Sequence, residues 1–214
     1  MKAVIFDLDG TLLNTIDDIA DSMNSVLAAY GLPQHNVDAY RMFVGDGVAN
    51  LVIRATKGST SDRDMLERIE NEYRDELLKR QTNKTKPFSG IPELLSTLSE
   101  RGIKISVLSN KPHDATEEVI AWSFPDISFS AVLGHRPGSQ IKPDPSSVFE
   151  LIDIMGVPPE EVLYIGDTGT DMQTAKAAGL RAIGVLWGNR GRSELEENGA
   201  AGFAEHPMDL LKYF

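Results

Sequence analysis

The chain has 214 residues, no cysteine, and 32 acidic against 21 basic side chains, a formal charge of −11. Such acidity disfavours phosphate backbones as partners, and the missing cysteines exclude disulfides, thiolate nucleophiles and cysteine-ligated zinc or iron–sulfur centres. The opening MKAVIFDLDGTLL breaks its apolar run at Asp7 and Asp9, and no stretch approaches the roughly 18 apolar residues of a membrane span, so the expectation is a soluble cytoplasmic protein with neither membrane nor nucleic acid as partner.

The first predicted element is a strand, Ala3 to Phe6, whose AVIF run suits burial on both faces. From Asn14 to about Phe88 no strand is evident. Ile16 to Tyr30 places Ile16, Ile19, Ala20, Met23, Val26, Leu27 and Tyr30 on one helical face, and Gly31 ends it. Val37–Phe43, Val48–Thr56 and Arg63–Arg80 are further helices. Pro92 to Arg101 is a helix with Leu94, Leu95 and Leu98 on one side and Gly102 as its stop. Ile103–Leu108 is the next strand and Ala131–Leu133 a weaker one. Ser146–Met155 reads as a helix, Val162–Ile165 as a strand, Asp171–Ala178 as a helix closed by Gly179, and Ala182–Leu186 as a last strand. Alternating strands and helices predict an α/β fold with a doubly wound, Rossmann-like parallel sheet. A simple crossover needs only a dozen or more residues. The 75 residues from 14 to 88 therefore read as an inserted all-helical layer within a core of residues 1–13 and 89–214. Charge divides along the same line, with a net −2 in the insertion and −9 in the core.

Candidate chemistry sits where strands end, the place where open α/β sheets put their sites. The first strand runs into Asp7-Leu8-Asp9-Gly10-Thr11, two carboxylates two residues apart with a glycine for a tight turn. The second ends in Ser109-Asn110-Lys111, two hydrogen-bonding side chains and a cation suited to an anion. Lys142-Pro143 offers a second cation in a loop. VLYI ends in Gly166-Asp167-Thr168-Gly169-Thr170-Asp171, where Asp171 also suits a helix start. Converging carboxylates would repel one another, and a divalent oxygen-ligated cation relieves that conflict.

These four segments, in this order and over the whole chain, resemble the haloacid dehalogenase superfamily of phosphohydrolases. The insertion then corresponds to a helical cap domain. The resemblance implies Asp7 as the nucleophile that forms an aspartyl-phosphate and Asp9 as the acid that protonates the leaving oxygen and then activates water. It implies Mg²⁺ held by the Asp7 carboxylate, the Asp9 carbonyl and the Asp167 carboxylate. Ser109 and Lys142 would bind phosphoryl oxygens, and Asp171 would support Lys142 or metal-bound water. Thr11, Asn110 and Lys111 are placed with the substrate-binding residues. An acid at Asp9 favours phosphate ester or anhydride chemistry over dehalogenation.

Within the insertion, Phe43-Val44-Gly45-Asp46-Gly47-Val48, followed by Leu51, Val52, Arg54 and Ala55, resembles a segment of the phosphoglycolate phosphatase branch. Gly45, Asp46, Gly47 and Arg54 are thus expected on the substrate side, with Arg54 as a partner for a carboxylate. That branch has Asn where this chain has Asp46, and a negative charge there weighs against a carboxylated substrate. Lys111 and the Trp187-Gly188 pair resemble the same branch. The expected partner is a small phosphorylated metabolite, with 2-phosphoglycolate leading, acted on by a monomer or homodimer. A β-phosphoglucomutase-like phosphomutase, a pyrophosphatase of the same superfamily and a non-catalytic binding protein are the alternatives.

Overall fold

A computed structural model describes residues 1–214. Its main sheet has six parallel strands: β1 (Ala3–Phe6), β4 (Lys104–Pro112), β5 (Ala131–His135), β6 (Val162–Gly166), β7 (Arg181–Val185) and β8 (Phe203–Ala204). Their order is β5-β4-β1-β6-β7-β8, with β1 between β4 and β6. Phe6 is level with Val107 on one side and Ile165 on the other. Alternate residues of β1 face opposite layers. Val4 and Phe6 pack with Leu94, Leu95 and Leu98 of α5 (Ile91–Glu100) and with Val119 and Ile120 of α6 (His113–Ser123). Ala3 and Ile5 pack with Val148 and Leu151 of α7 (Ser146–Met155), Met172 and Ala175 of α8 (Gly169–Ala177), and Leu195 of α9 (Arg192–Glu197). All four residues of β1 are fully buried, which explains why its sequence is a continuous apolar run and not an alternating one.

Four helices stand between β1 and β4: α1 (Ile16–Ala29), α2 (Val37–Phe43), α3 (Gly47–Ala55) and α4 (Arg63–Arg80). They share their own hydrophobic cluster, which includes Ile19, Met23, Leu27, Tyr40, Leu51, Ile69, Tyr73 and Leu77. Ile69, Tyr73 and Leu77 form a narrow stripe at four-residue spacing on α4. The rest of that helix is polar and carries ion pairs such as Arg74 with Glu70 at 2.7 Å.

The structure departs from the sequence expectations in several places. Strand β4 continues to Pro112 through a register shift after Leu108, so Ser109–Lys111 lie within the strand and not beyond it. Helix α8 begins at Gly169, two residues before Asp171, because Thr168 and Asp171 form a capping box. A short antiparallel ribbon, β2 (Leu13–Asn14) with β3 (Lys86–Pro87), closes the neck of the helical layer. Two residues per strand are too few to leave a periodic signature. Helix α6, helix α9 and strand β8 were not expected.

The neck is also held by a buried carboxylate. Asp18 is 1% exposed and accepts hydrogen bonds from the backbone N–H groups of Lys84, at 3.0 Å, and Thr85, at 2.8 Å. Hydrogen bonds to a charged acceptor contribute about 1.5–3 kcal/mol each, and their loss would leave buried donors unpaired. Asp18→Ala should therefore cost about 3 kcal/mol of unfolding free energy in a denaturant titration. A change below roughly 0.5 kcal/mol, the size of an ordinary surface substitution, would show that the neck does not depend on it.

Candidate active site

The carboxyl edge of β1 gathers the candidate residues. The Asp7 N–H donates to Ile165 O at 2.8 Å, which extends the ladder one residue and places Asp7 at the rim of the sheet. The chain then turns through Gly10, whose φ of 96° favours glycine. A Cβ on Gly10 would lie 2.2 Å from an Asp167 oxygen, and one on Gly188 would lie 2.3 Å from the Asp167 Cβ. Both glycines let backbone close tightly around that carboxylate.

Lys142 is the centre of the cluster. Its ammonium donates to Asp7 Oδ1 at 2.6 Å and to Asp171 Oδ1 at 2.7 Å, with all three side chains buried. Asp171 is fixed from its other side by the Thr168 N–H at 3.1 Å and the Thr168 hydroxyl at 2.7 Å, and Tyr164 donates to it at 3.2 Å. Asp167 accepts from the Thr11 hydroxyl at 3.2 Å and the Asn189 N–H at 2.7 Å. Asn110 clamps the lysine's backbone: its side-chain oxygen accepts from the Lys142 N–H at 2.8 Å, and its amide donates to Lys142 O at 3.2 Å. The same amide reaches Gly45 O in the helical layer at 3.0 Å.

Asp9 stands apart from the lysine cluster. Its Oδ1 is buried without a hydrogen bond, 3.6 Å from the Lys111 ammonium. The Ser109 hydroxyl accepts from the Lys111 N–H at 3.1 Å. Asp7, Asp9, Ser109, Asn110, Lys111 and Lys142 all line one cavity, and the helical layer closes over it.

Several expected substrate contacts fall elsewhere. Thr11 is fully buried, and its hydroxyl is spent on Asp167 while its carbonyl accepts from Trp187 Nε1 at 3.0 Å. It orients Asp167 from below and does not face the cavity. Asp46 and Arg54 are paired with each other outside the cavity lining. The Asp46 carboxylate also accepts from the Thr170 hydroxyl at 2.6 Å, a bond between helical layer and core. Burial alone would raise the Asp46 carboxyl, but Thr170 and Arg54 outweigh it and hold it below the usual range. Gly45 and Gly47 do line the cavity, through their backbone.

Other site residues went unnoticed in the sequence. Tyr73 of α4 lines the cavity, and burial and then the negative charge of Asp9 hold its phenol pKa above the ordinary value. Arg190 donates to the carbonyls of Arg41 and of Val44, the latter at 2.9 Å, and so caps the end of α2 from the core. Asn189 holds Asp167. Arg190 and Asn189 lie in a loop beyond β7 with no periodicity, and Tyr73 reads simply as part of an apolar stripe.

This edge matches a known architecture. Residues 4–185 match the model of the haloacid dehalogenase-like hydrolase family, and the chain belongs to that family. It is an enzyme of the phosphatase class. It is 31% identical to a phosphoglycolate phosphatase of Pseudomonas syringae pv. tomato, over 93% of this chain and 75% of that one. It is also 31% identical to a phosphoglycolate phosphatase of Mannheimia succiniciproducens, over 99% and 97% of the two chains. The crystal structure of a candidate phosphoglycolate phosphatase from Lactobacillus delbrueckii subsp. bulgaricus has a TM-score of 0.93 and 30% identity, covering 99% of this chain and 97% of that one. No helix is long and apolar enough to cross a membrane.

Charge at the site is unbalanced. Oxygens of Asp7, Asp167 and Asp171 lie within 4.8 Å of one another, and all three residues are buried. Lys142 offsets one of the three negative charges. Burial, and then Asp171, push the Asp7 carboxyl well above the usual range, although Lys142 pulls it back. The same two causes push Asp167 up to about 6, against the hydrogen bond from the Asn189 N–H. Burial would lower the Lys142 ammonium, but Asp171 and Asp7 prevail and hold its pKa well above the ordinary value. Such a set of hard oxygen donors with a charge deficit suits a divalent cation. Asp171 accepts from Lys142, Tyr164 and Thr168 on both oxygens, whereas Asp7 accepts on Oδ1 only and each Asp167 oxygen accepts one bond, which makes Asp7 and Asp167 the side chains better able to meet one.

Asp167 titrates higher folded than unfolded, so its contribution to folding is complete below about 4 and lost as pH rises through about 6. With metal chelated, the thermal midpoint should fall between about pH 4 and about pH 7. Asp167→Asn should flatten that fall, since a shift of this size corresponds to roughly 3 kcal/mol. A level or rising midpoint in the wild-type protein would contradict the charge imbalance.

Proposed function

We propose that the chain is a Mg²⁺-dependent phosphomonoester hydrolase acting on a small phosphorylated metabolite through an aspartyl-phosphate on Asp7. The observation that carries this reading is the Lys142 ammonium held between Asp7 and Asp171. A carboxylate can attack an anionic phosphoryl group only when its own charge and the phosphate's are screened. Mg²⁺, held by the Asp7 and Asp167 carboxylates with the Asp9 carbonyl, would supply the remaining positive charge.

In the first half-reaction an Asp7 oxygen bonds to phosphorus as the ester P–O bond breaks. Asp9 delivers a proton to the departing oxygen. Its buried Oδ1, free of any hydrogen bond, supports that role. In the second half-reaction Asp9 takes a proton from water. The resulting hydroxide displaces Asp7 from phosphorus, which releases inorganic phosphate and restores both carboxyls. Ser109, Lys111 and Lys142 bind phosphoryl oxygens, and Asn110 keeps Lys142 aimed. Residues 14–88 act as a cap that shuts water out of the first step. The names of the relatives make 2-phosphoglycolate the first ester to try.

Asp7→Asn should lower phosphate release from p-nitrophenyl phosphate by at least about a thousandfold while leaving the circular dichroism spectrum unchanged. Activity within tenfold of wild type would exclude Asp7 as nucleophile. EDTA should silence the wild-type enzyme and Mg²⁺ should restore it. Full activity in EDTA would exclude the metal requirement.

A further inference from the structure

The cavity over Asp7 has two faces of opposite chemistry. Its floor, from the core, holds Asp7, Asp9, Lys111 and Lys142. Its roof, from the helical layer, is the side chains of Ile19, Val44, Val48, Leu51, Tyr73 and Leu77, with the backbone of Gly45 and Gly47 beside them. No ionisable group other than the Tyr73 phenol belongs to the roof.

Arg54, the cation on α3, a cap helix that lines the cavity, brings no positive charge to the roof. Arg54 donates to the Asp46 carboxylate and to Phe43 O at 2.8 Å, and it does not line the cavity. Asp46 is anchored in turn to Thr170 of the core. On the floor, Lys111 stands 3.6 Å from Asp9 and serves the phosphoryl oxygens, so it is not left over for a group under the roof. The roof side chains belong to the hydrophobic cluster of the helical layer, with Leu51 4% and Val48 8% exposed. They are held by packing and cannot swing aside to admit water with a charged group.

With phosphorus at Asp7, the organic part of an ester points away from the floor and under this roof. A carboxylate there would lose its water against hydrocarbon and gain no counter-ion. A hydrocarbon group would exchange water for contact. We infer that the organic part of the substrate is uncharged and apolar: a compact alcohol whose one polar side-chain contact under the roof is the Tyr73 hydroxyl. The cavity has a volume of about 50 Å³, which limits the organic part to a compact group. This inference rests on the phosphomonoester reading of the same site, and it sets the chain apart from the substrate in its relatives' names.

The test compares 2-phosphoglycolate with isobutyl phosphate, its hydrocarbon isostere. The isobutyl group is the poorer leaving group, so chemistry alone would favour the carboxylated ester. Wild-type kcat/KM should be at least about tenfold higher for isobutyl phosphate, the scale of discrimination a hydrophobic pocket provides. Equal or better turnover of 2-phosphoglycolate would overturn the inference and leave the hydrolase reading standing. Val48→Lys, which brings a cation to the roof, should move the ratio about tenfold toward 2-phosphoglycolate; an unmoved ratio in a folded variant counts against the roof. Should that variant not fold, the wild-type ratio decides. If neither ester is hydrolysed, titration calorimetry on the Asp7→Asn protein separates the two readings. Tighter binding of isobutyl phosphate upholds the apolar roof and removes the hydrolase, whereas equal or tighter binding of 2-phosphoglycolate removes the apolar roof as well.

Discussion

The ammonium of Lys142, held between Asp7 and Asp171, is the interaction on which the rest of the site depends. Three buried carboxylates within 4.8 Å of one another could not stay ionised together without it. The fold spends several elements on placing that one cation. Strand β1 delivers Asp7, β6 and the start of α8 deliver Asp171, and Asn110 of β4 grips the lysine's backbone on both sides. Charge that would be costly anywhere else in the core is concentrated at the carboxyl edge of a parallel sheet, where neighbouring strands diverge and leave room for it.

The same edge ties the two layers together. Asn110 bonds to Gly45, Thr170 to Asp46, and Arg190 to the carbonyls that end α2. Asn110 takes part in both sets of contacts, so the position of the cap loop and the aim of Lys142 are set by one side chain. A closed roof and an aligned cation are thus one arrangement, which suits an enzyme that must exclude water before it breaks the ester bond.

The core was legible in the sequence because its central strands are buried on both faces and read as unbroken apolar runs, with polar residues after β1 and β6 and at the end of β4. Ala3–Phe6, Ser146–Met155, Val37–Phe43 and Arg63–Arg80 match their predicted limits. Helix α6 was hidden because it follows Pro112 directly and carries exposed Trp122 on its outer side, which blurs its amphipathic pattern. Asp7, Asp9, Asn110 and Lys111 stand out in the sequence because polar residues follow an apolar run, and Lys142 because it precedes a proline in a loop; the structure brings all five to one cavity. Thr11 could not be sorted in the same way, since a hydroxyl beside a motif looks the same whether it faces substrate or steadies a carboxylate. The pairing of Asp46 with Arg54, eight residues apart along α3, was not legible, because a sequence shows the charges without showing the pairing.

Asp171 serves folding and charge balance at once. Its Oδ2 closes the capping box with Thr168 while its Oδ1 receives Lys142. A change there would remove the cap of the first turn of α8 together with one of the two carboxylates that hold Lys142, whereas a change at Asp7 removes only the other and leaves every helix start intact. The two positions therefore have unequal histories open to them. A descendant held to the fold alone would be freer to lose Asp7 than Asp171.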